Sequence, residues 1–198
     1  ANNFLKEIKN FNSIAFIGGG AGSVELALAL KKRFKDKIIN FEITIVSGKN
    51  GILSSFPKKT KKISLDALRE AKIKLIENKE VVQVKKNKLI MSDGSFLNVD
   101  KSILSTNAMA PKWVEKSDIK LNEDSFIIVN NAFQTNHKFI FAAGDIVDFN
   151  RENLEKNGVF AVRSGKPLAK SIRKYILNSN NFTYKFNKSY LSLIGLSN

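Results

Sequence analysis

Ser13-Ile14-Ala15-Phe16-Ile17 runs directly into Gly18-Gly19-Gly20-Ala21-Gly22, and then into Val24-Glu25-Leu26-Ala27-Leu28-Ala29-Leu30. A short, wholly apolar run that ends on glycines has the pattern of a parallel strand buried on both faces. The leucine–alanine stretch is built from good helix formers and runs out at Lys31-Lys32-Arg33, where basic side chains favour a helix end. The next apolar run is Ile43-Thr44-Ile45-Val46. The order strand, glycine loop, helix, strand predicts a βαβ unit, and so an α/β chain with a parallel sheet.

The glycines carry a chemical expectation. Gly18 permits the tight turn out of the strand. Gly20 offers a surface with no side chain, against which a pyrophosphate can lie. Ser23 stands where a small residue lets helix and strand pack closely. The N–H groups of the first helical turn, at Ala21, Gly22 and Ser23, then face the phosphates with the positive end of the helix dipole. A structural glycine turn is the plainer alternative, but the strand before and the helix after are the context that a dinucleotide site requires. An acid at the end of the second strand, ~20 residues on, would bind a ribose 2′-hydroxyl. Here the strand ends Val46-Ser47-Gly48-Lys49. Ser47 could bond a hydroxyl, and Ser47 with Lys49 could accept a 2′-phosphate, so NAD and NADP both stay open.

Composition excludes several classes. There is no cysteine, so no disulfide, thiolate metal site or dithiol relay lies within the chain, and a single histidine, His137, argues against a histidine-rich metal centre. No apolar run approaches the ~20 residues that span a bilayer, and the first ten residues lack a signal-peptide pattern. The expected location is the cytoplasm, free or at a membrane surface. The formal net charge of +15 invites a nucleic-acid reading, but lysine outnumbers arginine by 28 to 5 and is spread along the chain. The densest basic run, Lys58-Lys59-Thr60-Lys61-Lys62, has neither arginines for bidentate contacts nor aromatics for stacking. A solvated surface is the expectation, and no nucleic-acid partner.

Further along, Phe4–Phe11 reads as a short connector helix and Ser47–Pro57 as a loop. Ser64–Lys72 reads as a helix with Leu65, Leu68 and Ala71 on one face. Strands are expected at Lys74–Ile76, Val81–Val84, Leu89–Met91, Phe96–Leu97 and Ser102–Ser105, with Asp93-Gly94 as a turn. Phe126–Val129 and Phe139–Ala142 read as two more strands, and Val159–Leu177 as a helix containing Pro167.

The segment Ile14–Leu30 resembles the second, pyridine-nucleotide-binding fingerprint of the pyridine nucleotide-disulfide oxidoreductase superfamily, which includes the type II NADH dehydrogenases. Asp93-Gly94, Ser105-Thr106-Asn107-Ala108, Phe139–Asp145 and Gly158–Gly165 resemble four later family features in the right order, with Asn107 replacing a glycine. Within the superfamily, Ala110-Pro111-Lys112-Trp113, Asn157–Arg163 and Tyr190–Ile194 resemble the module fused to selenide, water dikinase in some organisms. The resemblance implies a Rossmann-like NAD(P)H-binding domain over 12–101, after a connector at 1–11, and the C-terminal half of an FAD-binding domain over 102–198. The first FAD fingerprint is absent, which implies a piece of an FAD-dependent NAD(P)H oxidoreductase. The implied partners are the missing half of the FAD domain, NAD or NADP, FAD, and a small electron acceptor such as a quinone or a selenium or sulfur species. A homodimer is also compatible.

The resemblance further implies residue roles. Asp145, after Gly144, would accept a bond from a ribityl hydroxyl of the flavin; its alternative is a helix or turn cap. Gly158, Val159 and Phe160 would begin a helix near the flavin ring. Glu25 would lie near the nicotinamide ribose, or be an ordinary surface glutamate. Asn107 would stand at the crossover near the flavin. Lys156 and Arg163 could meet phosphate or a flavin carbonyl. The cofactors would carry out the hydride chemistry, so no catalytic acid, base or nucleophile is assigned. A non-enzymatic nucleotide-binding or scaffold module is the alternative.

Overall fold

The computed structural model describes residues 11–34, 41–106, 108–149, 152, 154–179, 182–185 and 191–196. Phe4–Asn10 of the expected connector helix and Asn107 lie outside the described residues. The chain divides into two compact units, Ala1–Asn107 with Leu193–Asn198, and Ala108–Ser192.

In the first unit, β1 (Ser13–Ile17), α1 (Ala21–Phe34), β2 (Glu42–Val46), α2 (Lys58–Glu70), β3 (Lys74–Ile76) and β7 (Lys101–Leu104) form a parallel sheet of order β3-β2-β1-β7 with its helices. Strands β4 (Val81–Lys85), β5 (Lys88–Met91) and β6 (Phe96–Asn98) form an antiparallel sheet. The unbroken apolar character of β1 has a layered cause. Ile14 and Phe16 face one way, into a cluster with Val24, Ala27 and Leu28 of α1 and Leu68 of α2. Ala15 and Ile17 face the other, into a cluster with Leu89, Met91 and Val99. Alternate side chains of one strand thus serve two cores, the situation that favours continuous apolar runs over alternating ones. Strand β7, at the domain border that the resemblance implies, pairs along β1 from Ile14↔Lys101 to Ile17↔Leu104, and so belongs to this unit's sheet.

Three local results depart from the sequence reading or extend it. Helix α2 begins at Lys58, six residues before the expected Ser64, because Pro57 sets the chain direction at the N-cap and lysine propagates a helix well. The basic run therefore forms the first turn of a helix. Phe139–Ala142 is not a strand; only Phe141 bridges, to Gln134, and Phe139 is 83% exposed. The strand lies further on, at β9 (Val147–Phe149), whose three buried residues pair in parallel with β8 (Ile127–Val129). Around them, in the second unit, Val114, Phe133 and Phe149 are fully or almost fully buried. Helix α3 (Gly158–Ile176) starts at Asn157, whose side chain accepts a hydrogen bond from the Phe160 N–H, and it continues through Pro167.

Asp100 fixes the entry to β1. Its Oδ2 accepts from the Asn12 N–H (2.8 Å), the Ser13 N–H (2.9 Å) and the Ser13 hydroxyl (3.0 Å). The Asn12 bond, ahead of the Ser13 bonds, holds its carboxyl below the usual carboxylate range, against a desolvation cost. A carboxylate with a lowered folded-state pKa gives stability that is present above its unfolded pKa, ~3.9, and is lost as pH falls through the lower folded value. Asp100→Asn should therefore cost about 1–3 kcal/mol at neutral pH and abolish that part of the acid dependence. Urea unfolding of both proteins at pH 7 and pH 3 measures it; equal differences at the two pH values would remove Asp100 from the account.

Candidate functional site

The glycine loop joins β1 to α1, and each of its glycines meets a different environment. Gly18 has φ +122°, and a Cβ there would lie 2.2 Å from the Ser105 carbonyl oxygen at the end of β7. Its N–H donates to the Val46 carbonyl at 2.8 Å, and the Ser105 N–H donates to Ile17 at 2.9 Å, so the loop is drawn tightly over the C-terminal ends of β1, β2 and β7. A Cβ on Gly19 would lie 2.7 Å from the Gly51 carbonyl and 2.9 Å from the Ser47 Cβ. Gly20 is exposed, and a Cβ there would meet nothing within 4 Å. Gly22, also exposed, would bring a Cβ to 3.3 Å from the Ser105 hydroxyl. The structure thus separates two glycines that the fold requires from one whose bare surface faces open space.

Ala21, Gly22 and Ser23 open α1, and N–H groups in a helix's first turn have no carbonyl one turn earlier to bond. Ser23 is fully buried between helix and sheet, with no hydrogen-bond partner for its hydroxyl among the described residues. It meets the requirement for a small residue there. The open approach at Gly20 stands at the N-terminus of a 14-residue helix, the kind of place where a phosphate group is received.

Ser47 stands at the end of β2, as expected, but only 1% of it is exposed and its hydroxyl has no partner among the described residues. It lies under the loop, beside Gly19. Lys49 is exposed. The segment after β2 closes over the glycines: the Leu53 N–H donates to the Gly19 carbonyl at 2.7 Å, and Ile52 and Leu53 are buried. Glu77, after β3, secures that segment by accepting from the Ile52 N–H at 3.1 Å. The sequence reading misses Gly19, Gly51 and Glu77. Gly19 had a signal, since three consecutive glycines stand where the fingerprint asks for two. Glu77 had none.

Glu25, half-buried on α1, accepts a 2.7 Å hydrogen bond from the Gly195 N–H. Ile194 and Leu196, on either side of Gly195, pack against the core of this unit. The residue expected near a nicotinamide ribose is therefore engaged by a distant segment of its own chain.

The second unit gathers several of the other expected residues. Gly144, with φ +81°, and Asp145 form a single 3-10 turn before β9. Gly144, Asp145, Lys156, Phe160 and Ser164 line one small pocket at the start of α3, with Gly158 and Val159 in the same helical turn as Phe160. Asn157 caps α3, so the exposed carboxylate of Asp145 is not used as the cap. Lys156 is held inward. Its Nζ donates to the Val147 carbonyl and lies 4.5 Å from the centre of the Phe126 ring. Burial pushes its ammonium below the usual lysine range, with Asp148, Asp145 and Asp124 opposing. His137 lies away from this pocket, its ring beside Asp118.

Comparison with known proteins places these features in a family. Residues 1–165 match the family described as pyridine nucleotide-disulphide oxidoreductase. The chain belongs to that family. Members of the family work with FAD and NAD(P)H. The chain is 26% identical over 204 residues to a type II NADH:quinone oxidoreductase of Haemophilus influenzae, an alignment covering 96% of this chain and 46% of that protein. It is 27% identical over 136 residues to a coenzyme A disulfide reductase of Staphylococcus aureus, covering 68% and 30%. The structure of reduced CoADR-RHD from Bacillus anthracis superposes with a TM-score of 0.72 at 21% identity, over 93% of this chain and 33% of that one, which shows the fold. The chain thus spans less than half the length of these relatives. Among the described residues, no helix is long and apolar enough to cross a membrane.

Proposed function

We propose that this chain is the nucleotide-handling portion of an FAD-dependent NAD(P)H oxidoreductase. In this reading, residues 12–101 hold NAD(P)H, and residues from 102 onward supply the returning half of an FAD-binding domain, completed by a segment outside this sequence. The observation that carries the reading is the open, side-chain-free approach at Gly20, placed at the N-terminus of α1. Family membership adds that the bound cofactors would supply the redox chemistry, with the protein holding and orienting them.

The protein's own residues then have defined tasks. Gly20 and the N–H groups of Ala21, Gly22 and Ser23 bind the pyrophosphate of NAD(P)H, and Glu25 lies near the nicotinamide ribose. Gly144 lets the turn at Asp145 form, and Asp145 accepts a hydrogen bond from a ribityl hydroxyl of the flavin. Gly158, Val159 and Phe160 present the positive end of α3 toward the flavin. Asn107, outside the described residues, is assigned to the flavin by family resemblance alone. The finer likeness to the module fused to selenide, water dikinase supports a selenium or sulfur species as the final acceptor; the type II relative supports a quinone.

Gly20→Val tests the pyrophosphate site. A side chain at Gly20 has space in the free protein, so the unfolding midpoint should change little. The same side chain would occupy the place of the pyrophosphate, so calorimetric titration should show NAD(P)H binding weakened by at least about ten-fold, roughly 1.4 kcal/mol. Unchanged binding by a folded variant would overturn the reading.

A further inference from the structure

The end of β2 lacks the acid that receives a ribose 2′-hydroxyl in many dinucleotide sites, and Ser47, which stands there, is buried. The structure brings acids to the same place from the other side. The segment following β3 is fastened along the end of β2 by two backbone bonds: the Ser47 N–H donates to the Ile76 carbonyl at 2.8 Å, and the Lys79 N–H donates to the Ser47 carbonyl at 3.1 Å. A third bond, from the Ser92 N–H to the Glu80 carbonyl at 2.8 Å, anchors the far end. Glu77 and Glu80 are therefore carried beside Ser47-Gly48 on a backbone tied at three points.

The two acids are used differently. Glu77 Oε1 is committed to the Ile52 N–H and lies 2.5 Å from where a Cβ on Gly51 would stand. Glu80 is exposed, and its side chain lies over Gly48, with Cγ 3.5 Å and Oε1 3.7 Å from the position of a Cβ there. The bare backbone of Gly48 thus seats the Glu80 carboxylate at the strand end, where the adenosine ribose of a dinucleotide on this fold is received.

We propose that Glu80 takes the place of the missing acid and makes the site prefer NADH over NADPH. The proposal rests on the reading of the first unit as a dinucleotide site. A carboxylate accepts a hydrogen bond from a 2′-hydroxyl but has no proton to offer a 2′-phosphate. It also repels the phosphate's charge, and a like-charge encounter of this kind is costly. Of the lysines in the first turn of α2, Lys58, Lys59 and Lys62 are exposed, and Lys61 approaches the Gly51–Glu77 side of the loop.

The test is calorimetric titration of the full chain, Glu80→Gln and Glu77→Gln with NADH and with NADPH, at low and at physiological ionic strength. The unaltered chain should bind NADH at least about ten-fold more tightly than NADPH. Glu80→Gln should bring the two affinities within about three-fold, mainly by a gain in NADPH binding. The ratio in the unaltered chain should shrink with added salt, because an exposed charge is screened. Glu77→Gln should weaken both cofactors together and leave the ratio in place. Preference for NADPH in the unaltered chain, or an unchanged ratio in Glu80→Gln, overturns the assignment. A ratio that follows Glu77 also overturns it. Failure of both cofactors to bind the folded chain overturns the dinucleotide reading itself, a result separate from loss of discrimination.

Discussion

Gly18→Ala should destabilise the first unit by about 3–5 kcal/mol. Strain from a positive φ at a residue with a Cβ contributes about 1–3 kcal/mol, and overpacking contributes a further amount of about the same size. The second part is not relieved by local adjustment, because the Cβ would lie 2.2 Å from the Ser105 backbone oxygen and no flexible side-chain end is available to move away. Relief would require β7 to shift along β1, breaking the bond from the Ser105 N–H to Ile17. Such a loss is a large share of the ~5–15 kcal/mol by which most domains are stable. Urea unfolding followed by far-ultraviolet circular dichroism measures it. A change below about 1 kcal/mol would show that the crossing of β1, β7 and the loop is looser than described. The contrast with Gly20→Val separates two reasons for glycine within one motif, one set by the fold and one by the proposed pyrophosphate.

Phe133→Ala should be comparably severe in the second unit, at about 3–5 kcal/mol. Phe133 is fully buried, its ring 5.0 Å from that of Phe149 and 5.8 Å from that of Tyr184. Its backbone is held at φ +61° by the turn in which the Phe133 N–H donates to the Asn130 carbonyl. Truncation leaves a cavity at the centre of a small core and removes the packing that sustains an unfavourable backbone conformation. Limited proteolysis should cut the variant first within residues 108–192. The residues proposed to hold NAD(P)H lie in the first unit, so NADH affinity measured below the variant's unfolding transition should stay within about three-fold. First cleavage in the glycine-loop unit would contradict the assignment of Phe133 to a separate core.

The sequence made the first βαβ unit legible because three signals coincided there: an apolar run, glycines at its end and a helix-forming stretch. The same logic failed at Phe139–Ala142. Those residues are as strand-like in composition as Val147–Phe149, but strand formation depends on a partner, and β8 pairs with the later segment. The lysines at 58–62 illustrate a different limit. Their charge suggested a solvated run, while their helix propensity and the preceding proline decided the local structure. In the glycine loop, Gly18 could be read from spacing, because the tight turn out of β1 fixes its place along the chain. Glu77 and Glu80 could not. They follow the third strand, and only the parallel alignment of β3 with β2 sets them beside the glycine loop.

The bond from Gly195 to Glu25 bears on the order in which the protein can be made. The first unit takes Ile194 and Leu196 into its packing although the whole of Ala108–Ser192 lies between them and the preceding strand. On the ribosome, the first unit can form its sheet early, yet it must wait for the entire second unit to emerge before the segment around Gly195 can arrive. Until then, Glu25 stands without the Gly195 N–H, and the apolar surface destined for Ile194 and Leu196 is bare. A nascent chain stalled before residue 193 would be the form most exposed to chaperones and proteases, even with every strand of its sheet already translated.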